Sequence, residues 1–106
     1  MQIYGLKNCD TCRKALKALP GATLVDVRAD GVPDAVLAQA HATFGDALVN
    51  TRSTTWRQLD DTARQQPPLD LIKATPSVMK RPLIAVGDQL FLGWNKDVEA
   101  EVQSRL

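Results

Sequence analysis

The chain has 106 residues, a hydrophobic fraction of 44% and a formal net charge of +1, which suits a single soluble domain with one core. Acids and bases are interspersed, no apolar run approaches the roughly 18 residues of a membrane span, and no basic-then-apolar leader is visible at the N-terminus. Nucleic acid and membrane are therefore not expected partners, and the expected location is cytoplasmic.

Residues 2–6, Gln2-Ile3-Tyr4-Gly5-Leu6, read as a strand, and a helix is expected over residues 10–19. Between and into them runs Cys9-Asp10-Thr11-Cys12. A thiol at a helix N-terminus meets unpaired backbone N–H groups and the positive end of the helix dipole, and both favour the thiolate. The thiolate is the reactive form of cysteine. The spacing puts the two sulfurs about one helical turn apart, within reach of a disulfide if the turn permits it. Two cysteines make no disulfide scaffold, and a closed zinc site wants about four ligands, whereas only the distant His41 accompanies the pair. No metal is expected, and the motif reads as redox chemistry. Cys12, Ala15, Leu16 and Leu19 recur at helical spacing as a buried face, with Arg13, Lys14 and Lys17 off it. Cys12 is thus open to two readings, a buried core thiol or the redox partner of Cys9.

Pro20-Gly21 stops the helix, and Leu24 to Val27 forms the next strand. After a turn at Asp30-Gly31, Pro33 suits the first position of a helix. Val36, Leu37, Ala40 and Phe44 repeat at helical spacing up to Gly45, and His41 continues that stripe as a partly buried packing residue. Asn50 to Thr55 reads as a polar loop, followed by Trp56 and Leu59 as anchors. Both tryptophans, Trp56 and Trp94, read as core or pocket walls. Pro67-Pro68 breaks the chain, and a helix restarts over Leu69 to Ala74. Strands are expected over Leu83–Val86 and Leu90–Gly93, joined by a Gly87-Asp88 hairpin. A closing helix runs from about Lys96 to Arg105, with Asn95 as its N-cap. The order β-α-β, helical block, β-β-α is satisfied by an α/β architecture: a four-stranded mixed sheet flanked by helices, its first β-α-β unit right-handed and parallel. This is the layout of a thioredoxin-like fold, one domain over residues 1–106 with a helical insertion at about 33–79.

The segment from Tyr4 to Ala15 resembles the active loop of the arsenate reductase/Spx superfamily. Asn50-Thr51-Arg52-Ser53-Thr54-Thr55-Trp56-Arg57-Gln58-Leu59 is similar to that family's central arginine loop, Lys80-Arg81-Pro82-Leu83-Ile84 to its Arg-Pro segment, and Leu92-Gly93-Trp94 to its final strand end. In particular the chain resembles the short bacterial reductase-like proteins proposed to be glutathione-dependent.

The resemblance implies that Cys9 is the nucleophile, the residue that in the glutathione-dependent arsenate reductases attacks the arsenic of arsenate before glutathione and glutaredoxin resolve the adduct. It implies that Arg52 and Arg81 complete the catalytic set by binding an oxyanion, for which planar, permanently charged guanidinium groups are suited. Those reductases use a third arginine near the final strand end, where this chain reads Phe91-Leu92-Gly93-Trp94-Asn95-Lys96. Glutathione also carries carboxylates that Arg52 and Arg81 could hold. On this reading Cys12 resolves or protects the Cys9 adduct. Lys7, Asn8, Thr11, Arg13 and Pro82 border the glutathione or oxyanion site, and Pro82 matches a cis proline that faces the active cysteine. No cofactor is bound, glutathione is the co-substrate, glutaredoxin is a possible partner, and the protein is a monomer.

The Spx branch implies an alternative: a redox-switched regulator that binds the RNA polymerase α-subunit, with Cys9 and Cys12 as the switch. From the residues alone, Arg52 and Arg81 are also compatible with surface ion pairs, and Pro82 with an ordinary turn. Lys7, Arg13 and Lys14 are expected as surface charges that lower the Cys9 pKa, with Asp10 opposing them.

Overall fold

The computed structural model describes residues 1–106. Four strands, β1 (Gln2–Gly5), β2 (Thr23–Asp26), β3 (Leu83–Val86) and β4 (Gln89–Leu92), form one sheet in the order β2-β1-β3-β4. β1 pairs with β2 in parallel and with β3 antiparallel, and β3 pairs antiparallel with β4. The sheet is therefore mixed, as the element order requires. The β3–β4 hairpin pairs Val86 with Gln89 across Gly87-Asp88. Gly87 has φ 61°, a left-handed conformation that this tight turn needs and that glycine adopts without steric penalty.

Six helices accompany the sheet: α1 (Asp10–Ala18), α2 (Asp34–Phe44), α3 (Thr54–Gln58), α4 (Asp61–Arg64), α5 (Pro68–Ala74) and α6 (Lys96–Gln103). No helix is long and apolar enough to cross a membrane. The chain divides into two compact units, residues 1–30 with 81–106, and residues 31–80.

In the first unit, Ile3, Ile84 and Phe91 are direct cross-strand partners and so point to one face of the sheet. They pack against Ala15 of α1, Leu19 at the C-cap of α1 and Val102 of α6. Ile3, Ala15, Leu19, Ile84 and Val102 are fully buried, so trimming one of the larger side chains to alanine costs about 2–5 kcal/mol. Tyr4 and Leu83, on the opposite face, are buried as well. The apolar stripe of α1 is as the spacing predicts: Cys12, Ala15 and Leu19 are buried, Leu16 is half-buried, and Arg13, Lys14 and Lys17 are exposed.

The second unit is helical. Leu37 and Ala40 of α2 and Leu71 and Ile72 of α5 are buried, together with Leu48, Val78 and Met79. Three features differ from the sequence expectation, the third being the unexpected short helix α4. Pro33 is the N-cap of α2 rather than its first residue. The Asn50–Thr55 loop ends early, because Ser53 caps α3: its hydroxyl accepts the Trp56 N–H at 3.1 Å and donates to the Asn50 carbonyl at 2.8 Å. Asp60 caps α4 in the same way, accepting the Ala63 N–H at 2.7 Å. Arg64 then closes the C-terminal end of α3, donating to the Trp56 carbonyl at 3.3 Å and the Arg57 carbonyl at 3.0 Å, with its guanidinium 5.6 Å from the Trp56 ring centroid.

Candidate active site

Antiparallel pairing dictates where the site forms. Tyr4 of β1 lies opposite Leu83 of β3, so the chain leaving β1 and the chain entering β3 meet at one end of the two central strands. The first carries Leu6 to Cys9, the second Arg81 and Pro82. The Arg81–Pro82 peptide is cis, and Pro82 is buried.

Cys9 is half-buried and occupies the N-cap of α1 with extended backbone, φ −91° and ψ 120°. The Cys9 N–H donates to the Leu6 carbonyl at 3.2 Å, and the Cys9 carbonyl accepts the first helical bond from the Arg13 N–H at 2.9 Å. The turn is thereby tied at both ends. Cys9 makes no conventional side-chain capping bond. Partial burial raises the Cys9 pKa, but several groups outweigh it: the Cys12 N–H, the Cys12 thiol, and the hydrogen bond and positive charge of Arg81. The net shift is downward, which is the condition for a reactive thiolate.

Cys12 has the opposite character. It is fully buried, and its pKa is pushed up to about 11, first by burial and then by the neighbouring Cys9 sulfur, against a lowering contribution from the Leu6 backbone. At neutral pH Cys12 is therefore a neutral thiol that donates a hydrogen bond toward the Cys9 sulfur. Both cysteines are free. Gly5 closes the far side of Cys12: a Cβ at Gly5 would collide with the Cys12 Sγ and stand 3.2 Å from its Cβ. Hydrophobic patterning does not single out Gly5, although a glycine inside a strand often marks such a close approach.

Three of the expected site residues, Cys9, Cys12 and Arg81, are thus brought together by hydrogen bonding, and Pro82 adjoins them along the chain. Arg81 is half-buried, and its Nε is shielded from solvent. The cation acting on Cys9 is Arg81, 72 positions along the chain, rather than the nearby Lys7, Arg13 and Lys14 expected from the sequence. The Arg13 charge is directed to Asp10 at 3.0 Å, both side chains being largely exposed. Lys7 and Asn8 are exposed in the loop between β1 and α1, and Thr11 is half-buried in the first turn. Arg52 belongs to the second unit, exposed in the turn Asn50–Ser53. His41 is half-buried on α2, as expected of a packing residue. No group of three or more His, Cys, Asp or Glu side chains is placed to hold a metal ion.

An N-cap cysteine of lowered pKa, its hydrogen-bonded partner and an arginine ahead of a cis proline, all on a β-α-β, β-β-α sheet, can be set beside known proteins. A family model described as the ArsC family matches residues 4–102. The chain belongs to the ArsC family. An uncharacterized protein of Haemophilus influenzae is 41% identical over 103 residues, which cover 89% of this chain and 90% of that one. Among solved structures, a YffB protein superposes with a TM-score of 0.84 at 29% identity, over 94% of this chain and 96% of that chain. A Brucella melitensis protein described as related to arsenate reductase superposes with a TM-score of 0.68 at 29% identity, covering 99% of this chain and 94% of that one. The thioredoxin-like fold of the ArsC family is the fold of this protein.

Proposed function

We propose that this ArsC-family protein is a glutathione- or thiol-dependent oxidoreductase of the arsenate reductase type, with Cys9 as its nucleophile. The observation that carries the reading is the environment of Cys9: a helix N-cap thiol of lowered pKa, facing a neutral thiol donor and the Arg81 guanidinium.

The Cys9 thiolate attacks the oxidised centre of the substrate, and Arg81 balances the negative charge that develops there. With an oxyanion substrate, the attack displaces a hydroxide that leaves as water after protonation. Glutathione, with glutaredoxin, then resolves the adduct. If the product of the first stage is a Cys9–glutathione mixed disulfide, Cys12 supplies an internal resolving step. Once Cys9 is consumed, the negative sulfur that opposes Cys12 ionisation is gone. Cys12 attacks the Cys9 sulfur, the Cys9–Cys12 disulfide forms as the Cys9–glutathione S–S bond breaks, and the departing glutathione thiolate takes up the proton that Cys12 gives. Arg52 contributes a second cation for the anionic groups of oxyanion or glutathione, and Lys7, Asn8, Thr11, Arg13 and Pro82 border the site.

The test is glutathione-dependent arsenate reduction, coupled through glutaredoxin and glutathione reductase to NADPH loss, for wild type and Cys9→Ser. Turnover that vanishes in Cys9→Ser supports the reading. Absence of turnover with arsenate, together with Cys9 alkylation no faster than that of a free peptide thiol, would sink it.

The contact between the two thiols also favours a second reading, in which Cys9–Cys12 oxidation switches binding to RNA polymerase through its α-subunit, as in Spx. A pull-down in both redox states, with the C-terminal domain of the polymerase α-subunit as bait, decides: no capture in either state removes this alternative.

A further inference from the structure

The helical unit, residues 31–80, contains a cavity of about 240 Å³ that no residue of the Cys9 loop lines. Val49, Trp56, Pro68 and Leu71 make its apolar wall; Leu71 is buried and the other three are half-buried. Two charged side chains complete the lining, Asp46 and Arg64.

The protein balances neither charge. The ion pairs of the chain are Arg13–Asp10 and Lys73–Asp34, so Asp46 and Arg64 pair neither with each other nor with another charged group. Arg64 is held elsewhere: its Nε donates to the Trp56 carbonyl at 3.3 Å, its Nη2 donates to the Arg57 carbonyl at 3.0 Å, and its guanidinium lies 5.6 Å from the Trp56 ring centroid. These bonds use only part of the donor fork and leave the rest for a ligand. A guanidinium held in this way presents planar donors to a carboxylate at little entropic cost.

Asp46 is positioned by its own backbone. It lies in the short 3₁₀ turn Gly45–Leu48, where its carbonyl accepts the Val49 N–H at 3.2 Å. The end of that turn is tied down by the Lys80 N–H, which donates to the Leu48 carbonyl at 2.8 Å, and by the Asn50 N–H, which donates to the Val78 carbonyl at 2.7 Å. The Asp46 carboxylate itself is exposed and has no partner in the protein.

Two opposite, uncompensated charges around one apolar cavity suit a ligand that carries both countercharges on an apolar body. The volume sets its size. An apolar cavity of about 150 Å³ takes a benzene ring, so about 240 Å³ holds a body of roughly ten non-hydrogen atoms. That is the size of a single amino acid and too small for a tripeptide.

We propose that this cavity binds a free amino acid with an apolar side chain, its ammonium group at Asp46, its carboxylate at Arg64 and its side chain against Trp56, Pro68 and Leu71. The site gives the helical unit a ligand of its own. It goes beyond the reductase reading and stands whether or not Cys9 turns over a substrate.

The experiment is an NMR titration of the full chain with L-leucine and L-phenylalanine. The amides of Asp46 and Leu71 and the indole N–H of Trp56 are followed, with the Trp94 indole as the reference for non-specific effects. Three probes each remove one part of the ligand: leucinamide lacks the carboxylate, L-2-hydroxyisocaproate has a hydroxyl in place of the ammonium group, and glycine lacks the apolar body. Saturable shifts are expected with both amino acids. Glycine and leucinamide should each bind about tenfold more weakly than leucine, through loss of side-chain burial and of a charge-assisted hydrogen bond respectively. Asp46→Asn, an exposed substitution that breaks no contact of the fold, should weaken leucine binding about fivefold and leave hydroxyisocaproate binding unchanged. Absence of a saturable shift at the Trp56 indole with either amino acid would overturn the proposal. Equal affinity for leucine and leucinamide, or an unaltered leucine affinity in Asp46→Asn, would overturn it as well.

Discussion

The Gly5 backbone presses against the side chain of Cys12, leaving no room for even one methyl group between them. The contact confines the buried thiol, and the Cys9 sulfur is its hydrogen-bonding neighbour. A small residue at the end of β1 thereby positions the thiol that hydrogen-bonds Cys9.

Gly5→Ala should therefore destabilise the protein by about 1–3 kcal/mol through overpacking. The left-handed region plays no part, because Gly5 is not among the positive-φ glycines. Urea denaturation measures the loss. Removing the colliding sulfur in Gly5→Ala/Cys12→Ala should recover much of it. Strict additivity of the two substitutions in a double-mutant cycle would show that the collision does not carry the cost.

Arg81 should control Cys9 reactivity. Arg81→Gln removes a hydrogen bond and a positive charge from the thiolate, which should raise the Cys9 pKa and slow its iodoacetamide alkylation at pH 7 by roughly tenfold. Arg81→Lys keeps the charge but not the planar fork, so its rate should fall between the two. The pH dependence of alkylation distinguishes a pKa effect from a loss of access, because a pKa effect disappears at high pH.

The two cysteines should affect stability in opposite directions as pH changes. Folding lowers the Cys9 pKa, so Cys9 contributes stability above the unfolded value of 9.0 and loses it as pH falls through the folded value. Folding raises the Cys12 pKa from 9.0 to about 11, so the unfolded chain releases that proton first, and stability drops as pH climbs through this window. The Cys12 contribution to this decline is on the order of 2 kcal/mol. Denaturation of wild type and Cys12→Ala from pH 8 to 11 should show the wild type losing stability faster, and parallel curves would contradict the assignment.

Ser53→Ala should cost about 1 kcal/mol, measured as a lower Tm, because Ser53 both caps α3 and ties back to the Asn50 carbonyl. Ser53→Asp should retain most of the stability, since a carboxylate is an equally good cap and faces the positive end of the helix.

Local patterns in the chain specify most of the elements. Helical periodicity marks the buried face of α1, Pro20-Gly21 ends it, Gly87-Asp88 closes the hairpin, and Asn95 caps α6 by accepting the Val98 N–H at 2.9 Å. The short helices α3 and α4 leave no periodic signal, because five- and four-residue helices carry too little periodicity to stand out. Their legible signals were the caps Ser53 and Asp60.

The sequence by itself determined that Cys9 sits at a helix start and Cys12 on that helix's buried face, since both follow from spacing within a few residues. It also carried the family resemblance that pointed to Arg81. Only the tertiary structure decided which charge acts on the thiolate. Antiparallel pairing of β1 with β3 brings Arg81 to Cys9, while the Arg13 guanidinium turns to Asp10. The closeness of Gly5 to Cys12 has the same origin. Such contacts depend on how strands and helices register against one another, and periodicity within a single segment does not encode that register.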